Sequence, residues 1–168
     1  MPYPGGNIIR VTPTLSTDAY ADGDVLFTAT EIPNAVKGFG GCSNLVSMFI
    51  LDQSDVGTSD MQIIFSEGNI DIGAINATAN ISDSDLEALK INGMVKIDAD
   101  QATSSADLDN ATIQQCFPAT GNGEQANLNV FLQAAAGSTS VYVQAILSSA
   151  TTPTYAIDDI DLIFHIEY

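Results

Sequence analysis

Few side chains in this chain can do chemistry, and they are of a narrow kind: one histidine, two cysteines and 21 carboxylic acids. A serine or cysteine nucleophile needs a base near neutral pKa, oriented by a third group. The histidine, His165, alternates within the closing run Asp161-Leu162-Ile163-Phe164-His165-Ile166-Glu167-Tyr168 and shares a face with Asp161, Ile163 and Glu167. That placement reads as a solvent-facing or cross-strand side chain rather than a base. Two carboxylates at a set separation could hydrolyse a glycoside. With so many acids some pair always meets the distance, so the coincidence carries no information. There is no tryptophan to stack on a sugar ring, and no glycine-rich phosphate loop with its lysine. The chain reads as non-enzymatic, with no cofactor and no catalytic residue.

Acids could instead hold a hard cation. Asp98, Asp100, Asp107 and Asp109 occupy positions 1, 3, 10 and 12 of a loop of EF-hand length. Ala102 stands at its fifth position and Thr103 where the turn needs glycine, and the flanks have strand character. Looser calcium sites could form within Asp52–Asp60 or Asp158–Asp161, where solvated acidic loops are the plainer expectation. Cys42 and Cys116 are expected as buried free thiols, with one long-range disulfide as the alternative. Asn76, Asn80 and Asn110 fit the glycosylation pattern, which has no meaning without a secretory signal.

Charge narrows the partners. Arg10, Lys37, Lys90 and Lys96 face the 21 acids for a net charge of −17. Such a surface repels phosphate, so neither nucleic acid nor an anionic membrane is expected as a partner. No apolar run approaches the roughly 20 residues of a membrane span, and the start MPYPGGNIIR lacks a signal-peptide pattern. Assembly in a cytoplasm is therefore expected. At 168 residues and 45% apolar content, one ordinary domain can form its own core.

The elements that must carry these side chains are mostly strands. Val25–Thr30 follows the turn signal Asp22-Gly23-Asp24, and Asn44–Leu51 follows a loop closing on Gly38, Gly40 and Gly41. Further strand signals lie at Met61–Ser66, Met94–Ile97, Thr112–Phe117, Leu128–Leu132, Val141–Leu147 and Leu162–Tyr168. One short helix is expected near residues 83–90, with Ser82 and Asp85 as a capping box and Leu86 and Leu89 facing inward. Eight to ten strands without alternating helices predict an all-β, two-sheet antiparallel β-sandwich of jelly-roll type. Residues 1–12, with Pro2 and Pro4 and a short strand at Ile8–Thr12 ended by Pro13, are expected as an extended N-terminal arm and 13–168 as the sandwich domain.

Ser16–Val25, the glycine loop, Leu45–Asp52, Ile63–Phe65, Asn80–Leu86, Gly93–Ile97 and the Ala156–Leu162 ending follow one another in a recognisable order. The order resembles small structural proteins of tailed bacteriophages, especially aquatic phages and cyanophages. The resemblance implies a capsid decoration, or cement, protein: a β-sandwich subunit, commonly a homotrimer, on the virion exterior with the major capsid protein as partner. It carries over no functional residue. On that reading Tyr3, Ile8 and Ile9 of the arm dock on a neighbour by strand addition, and Lys37 and Phe39 form a second contact point. A tail or fibre subunit, and a soluble calcium- or sugar-binding module, are the alternative readings.

Overall fold

The structure is a computed structural model describing residues 5–54, 59–97, 105–116 and 130–168. Ten strands and one helix follow in chain order. They are β1 (Gly6–Val11), β2 (Val25–Ile32), β3 (Cys42–Asp52), β4 (Met61–Ser66), α1 (Asp83–Leu89), β5 (Ile91–Ile97), β6 (Ser105–Leu108), β7 (Ala111–Cys116), β8 (Val130–Gln133), β9 (Val141–Leu147) and β10 (Ile160–Glu167). They build two antiparallel sheets packed face to face, so the fold is an all-β sandwich. The six-stranded sheet runs β1-β10-β3-β7-β6, with β8 also paired to β3; the four-stranded sheet runs β2-β9-β4-β5. β7 and β8 lie end to end along β3, on Met48–Asp52 and Cys42–Leu45. The orders β1-β10-β3-β8 and β2-β9-β4-β5 are those of a jelly roll, with the β6–β7 hairpin added to one sheet.

Side-chain alternation explains the core. In β10, Leu162, Phe164 and Ile166 point inward and are buried, each contributing about 1.5–3 kcal/mol. They share one core with Phe65, Ile63 and Met61 of β4, and Phe65 stacks edge-on against Phe164 with ring centroids 5.9 Å apart. The outer face of the four-stranded sheet is covered as well. Ile64 packs there with Val25, Ile72 and Leu89, beneath residues 67–82 and α1. Gln144 is fully buried under this cover, where it accepts from the Ile72 N–H at 3.0 Å and donates to the Ile70 carbonyl at 3.1 Å. A buried amide of this kind is tolerated because both its ends are bonded.

Two expectations about local structure need correction. Leu86 is exposed: one helical turn places Leu89 on the sheet, and Leu86 falls on the outer flank. The helix ends at Lys90, whose left-handed φ of 48° breaks it, and β5 follows directly with Asn92 and Gly93 inside it. The short strand expected at Ile8–Thr12 is present as β1, but from Gly6 onward it is an edge strand of the sandwich rather than a separate arm, held antiparallel on β10 from Gly6↔Glu167 to Val11↔Leu162. Residues 1–4 lie outside the described residues.

Candidate functional site

The six-stranded sheet turns a different outer face to solvent. In β3, inward Leu45, Met48 and Ile50 alternate with outward Val46, Phe49 and Leu51. Pairing places Phe49 opposite Ile163, and Leu51 opposite Ile113. The register shifts between His165 and Ile166, which face Ser47 and Leu45, so Val46 is the extra residue of a β-bulge. The bulge pushes Val46 outward, 43% exposed, beside Ile8 at 54%. Along β1, β3, β7 and β10 the outward acids are Asp161 and Glu167 alone. That is sparse for a chain of net charge −17. Among the described residues nothing covers this face as residues 67–90 cover the other sheet.

His165 sits in this face as alternation predicts. Its Nδ1 shares a 3.0 Å hydrogen bond with Ser47 Oγ directly across the strand, and its ring tilts against Phe49 at 5.3 Å between centroids. Serine and histidine are thus neighbours, yet Ser47 is buried between strands. Beside them, Gly6 leaves a side-chain gap that becomes a shallow groove lined by Ile8, Val46, His165 and Glu167.

Of the expected contact residues, Ile8 lies in this face, whereas Ile9 points the other way into the chain's own core. Alternation forbids both from meeting one partner surface. Lys37 and Phe39 are exposed, Phe39 at 79%, on the β2–β3 loop. That loop is braced by hydrogen bonds from Gly40 N–H to the Ser138 carbonyl and from Val36 N–H to the Thr139 carbonyl. They form a patch separate from the sheet face. Tyr3 lies outside the described residues. Ile163 lies on the outward side with His165, as alternation predicts, whereas sequence reasoning missed Val46, Phe49, Leu51 and Ile113 as surface. Their signal, apolar residues on both faces of β3, reads equally as a strand buried on both sides.

Of the acidic loops expected as calcium candidates, residues 55–58 lie outside the described residues, and the described start of the first meets the second at one end of the sandwich. Asp52 ends β3 opposite Ile160, and Gln53 N–H donates to the Asp159 carbonyl at 2.8 Å. Asp52 is 2% exposed. Its Oδ1 accepts from Ser54 N–H at 2.9 Å and from Ser54 Oγ, while Oδ2 has no hydrogen-bond partner among the described residues. Burial pushes its carboxyl above the usual range, the Ser54 bonds oppose this, and nearby Asp159 adds to it. Among the described residues no three His, Cys, Asp or Glu side chains converge to hold a metal. Of the EF-hand-length series, Asp98 and Asp100 lie outside the described residues, and Asp107 and Asp109 sit in the β6–β7 hairpin.

Both cysteines are free. Cys116 is buried opposite Met48, and burial pushes its thiol up to about 12. Cys42 is exposed at the other end of β3, against the expectation of two buried thiols, because it falls on the outward phase of the strand. Among the described residues no helix is long and apolar enough to cross a membrane. Comparison of the chain with protein-family models, with curated proteins and with solved structures found no match.

Proposed function

We propose that the chain is a non-enzymatic structural protein of a tailed-phage particle. It binds the outside of the capsid shell and holds neighbouring capsomers together. The observation that supports this reading is the asymmetry of the sandwich. One sheet is sealed by residues 67–82 and α1, while the other presents Val46, Phe49, Leu51, Ile113 and Ile163 among few acids. Apolar side chains grouped on an otherwise acidic molecule mark a surface that leaves water on assembly. The major capsid protein is the partner this face would meet. Contacts of roughly 1,200–2,000 Å² repeated over a symmetric shell resist internal pressure without catalysis. The remaining acidic surface stays in solvent and repels packaged DNA.

The test mixes the purified chain with undecorated shells of the major capsid protein from the same phage. Saturable co-sedimentation and a raised shell melting temperature are expected. The paired substitution of Val46→Asp and of Phe131→Asp, which stands outward on β8 opposite Asn44 of β3, changes two exposed positions of this face and should weaken binding more than about tenfold with the fold intact. Attachment at the tail, absence of attachment, or binding indifferent to this pair overturns the reading.

A further inference from the structure

The free edge of β1 carries information that its role in the sandwich does not use. Tyr168 N–H donates to the Gly5 carbonyl at 2.9 Å, and the ladder then continues with Gly6 opposite Glu167 and Ile8 opposite His165. In an antiparallel ladder hydrogen-bonded and non-hydrogen-bonded pairs alternate. Gly5, Asn7, Ile9 and Val11 therefore bond to β10, while the N–H and C=O groups of Gly6, Ile8 and Arg10 point to the open edge. No described residue bonds to them, and all three residues are exposed. Natural sheets blunt such edges with proline, bulges or several charges. Gly6–Val11 contains no proline, no acid and a single charge, Arg10, and the first acid of the chain is Asp18.

We propose that two copies of this chain associate about a two-fold axis through their β1 edges, in the antiparallel register that sets Ile8 opposite Ile8 of the second copy. In that register the outward groups meet in three facing pairs, Gly6 with Arg10, Ile8 with Ile8, and Arg10 with Gly6. Each pair exchanges two bonds, so about six main-chain hydrogen bonds form. The contact is isologous and closes on itself. Side chains complement it. Arg10 of one copy arrives opposite Gly6 of the other, and Gly6 is in turn paired with Glu167. Opposite residues share a face, so Arg10, the bare Gly6 position and Glu167 lie in one row on the outer surface. Two strand spacings, about 10 Å between Cα atoms, separate the charged residues. An extended arginine and a glutamate side chain span that gap along the groove left by Gly6. Within one copy Arg10 is opposite Ile163, four residues along β10 from Glu167, and has no ion pair among the described residues.

The occupant is a second copy because it supplies a carboxylate at the place where the lone cation of the edge lands. The two Ile8 side chains meet beside Val46, extending the apolar face of one sheet into that of the other. The resemblance to decoration proteins implies a trimer, whereas an edge that pairs with itself demands a two-fold. The contact is measured on the free chain in solution, so its outcome is distinct from that of the capsid-binding reading.

Sedimentation of the purified full chain should show a monomer–dimer equilibrium. Ile8→Pro removes no bond to β10, since that N–H faces outward, and edge prolines are tolerated in such positions. It should leave the circular dichroism unchanged and abolish the dimer. Arg10→Glu should weaken association at least about tenfold by facing Glu167 with a like charge. Adding Glu167→Arg to Arg10→Glu should restore the wild-type dissociation constant to within about threefold, an outcome a merely structural role for either residue does not produce. A monomer at every concentration, a trimer, or a dimer indifferent to the charge exchange overturns the proposal.

Discussion

Asp52 and Cys116 are titratable groups whose environments set clear expectations. Asp52 is raised in the folded state because burial disfavours its charge, with Ser54 offsetting part of the effect and Asp159 adding to it. A raised folded pKa means that the folded chain holds its proton more tightly than the unfolded one. The stability this gives is complete below the unfolded value of 3.8 and is lost as pH rises through the folded value. At neutral pH the buried charge is therefore a net cost. Asp52→Asn keeps an acceptor for Ser54 and removes that charge, so it should raise the melting temperature at pH 7. The gain should disappear near pH 3.5, measured by thermal scans across that range. A loss at pH 7 would show that the carboxylate is compensated by a group outside the described residues. For the thiols, Cys42 should react with a thiol reagent in the native protein at pH 8, and Cys116 only after unfolding. Burial and a pKa near 12 withhold both access and thiolate from Cys116.

The β2–β3 connection depends on a close approach that alanine cannot make. A Cβ on Gly41 would lie 2.3 Å from the Lys37 carbonyl oxygen and 2.9 Å from that of Gly38, both backbone. Gly38 has φ +80° but faces open space. Gly41→Ala should therefore cost about 2–4 kcal/mol in denaturant unfolding, against about 1–2 kcal/mol for Gly38→Ala, which incurs only the left-handed penalty. Equal costs would mean that the loop relaxes freely. At the helix, Ser82 Oγ accepts from Asp85 N–H at 3.2 Å and donates to the Asp85 carboxylate at 2.7 Å. Ser82→Ala should cost about 1 kcal/mol. Most of this architecture was legible because it is local. Val141–Leu147 and Met61–Ser66 match their runs of apolar residues, and the inward and outward sides of β10 follow from period two. What stayed hidden depends on partners distant in sequence. The Val46 bulge exists only against His165 and Ile166, β1 becomes an edge only beside β10, and the seal of one sheet needs residues 67–90 folded across it. The candidate site is composed of those nonlocal relations, so its residues were nameable, like Ile8, while their shared face was not.

At the scale of the whole molecule, charge dominates. Seventeen net negative charges sit on a body with a radius of gyration of about 15 Å. Among the described residues the ion pair is Lys90 with Glu67 at 3.1 Å, with Lys90 largely exposed, so pairing offsets little of the repulsion. Unfolding spreads the same charges over a much larger volume, so self-repulsion favours the unfolded chain and screening should favour the fold. Between about 0.01 M and 1 M salt the Debye length falls from about 30 Å to 3 Å, from longer than the molecule's radius to shorter than the spacing of most of its charges. Relief of about 1–2 kcal/mol would raise the melting midpoint by roughly 2–8 °C for a chain of this length. The same rise should appear with sodium chloride and tetramethylammonium chloride, because screening depends on ionic strength and not on the cation. Dimerisation should strengthen in parallel, since it brings two acidic bodies together, and the single Arg10–Glu167 pair on each side is too weak to reverse that trend. A rise produced by millimolar calcium, absent in sodium chloride of equal ionic strength and reversed by a chelator, would instead place a bound cation among the acids that gather where β3 ends and β10 begins.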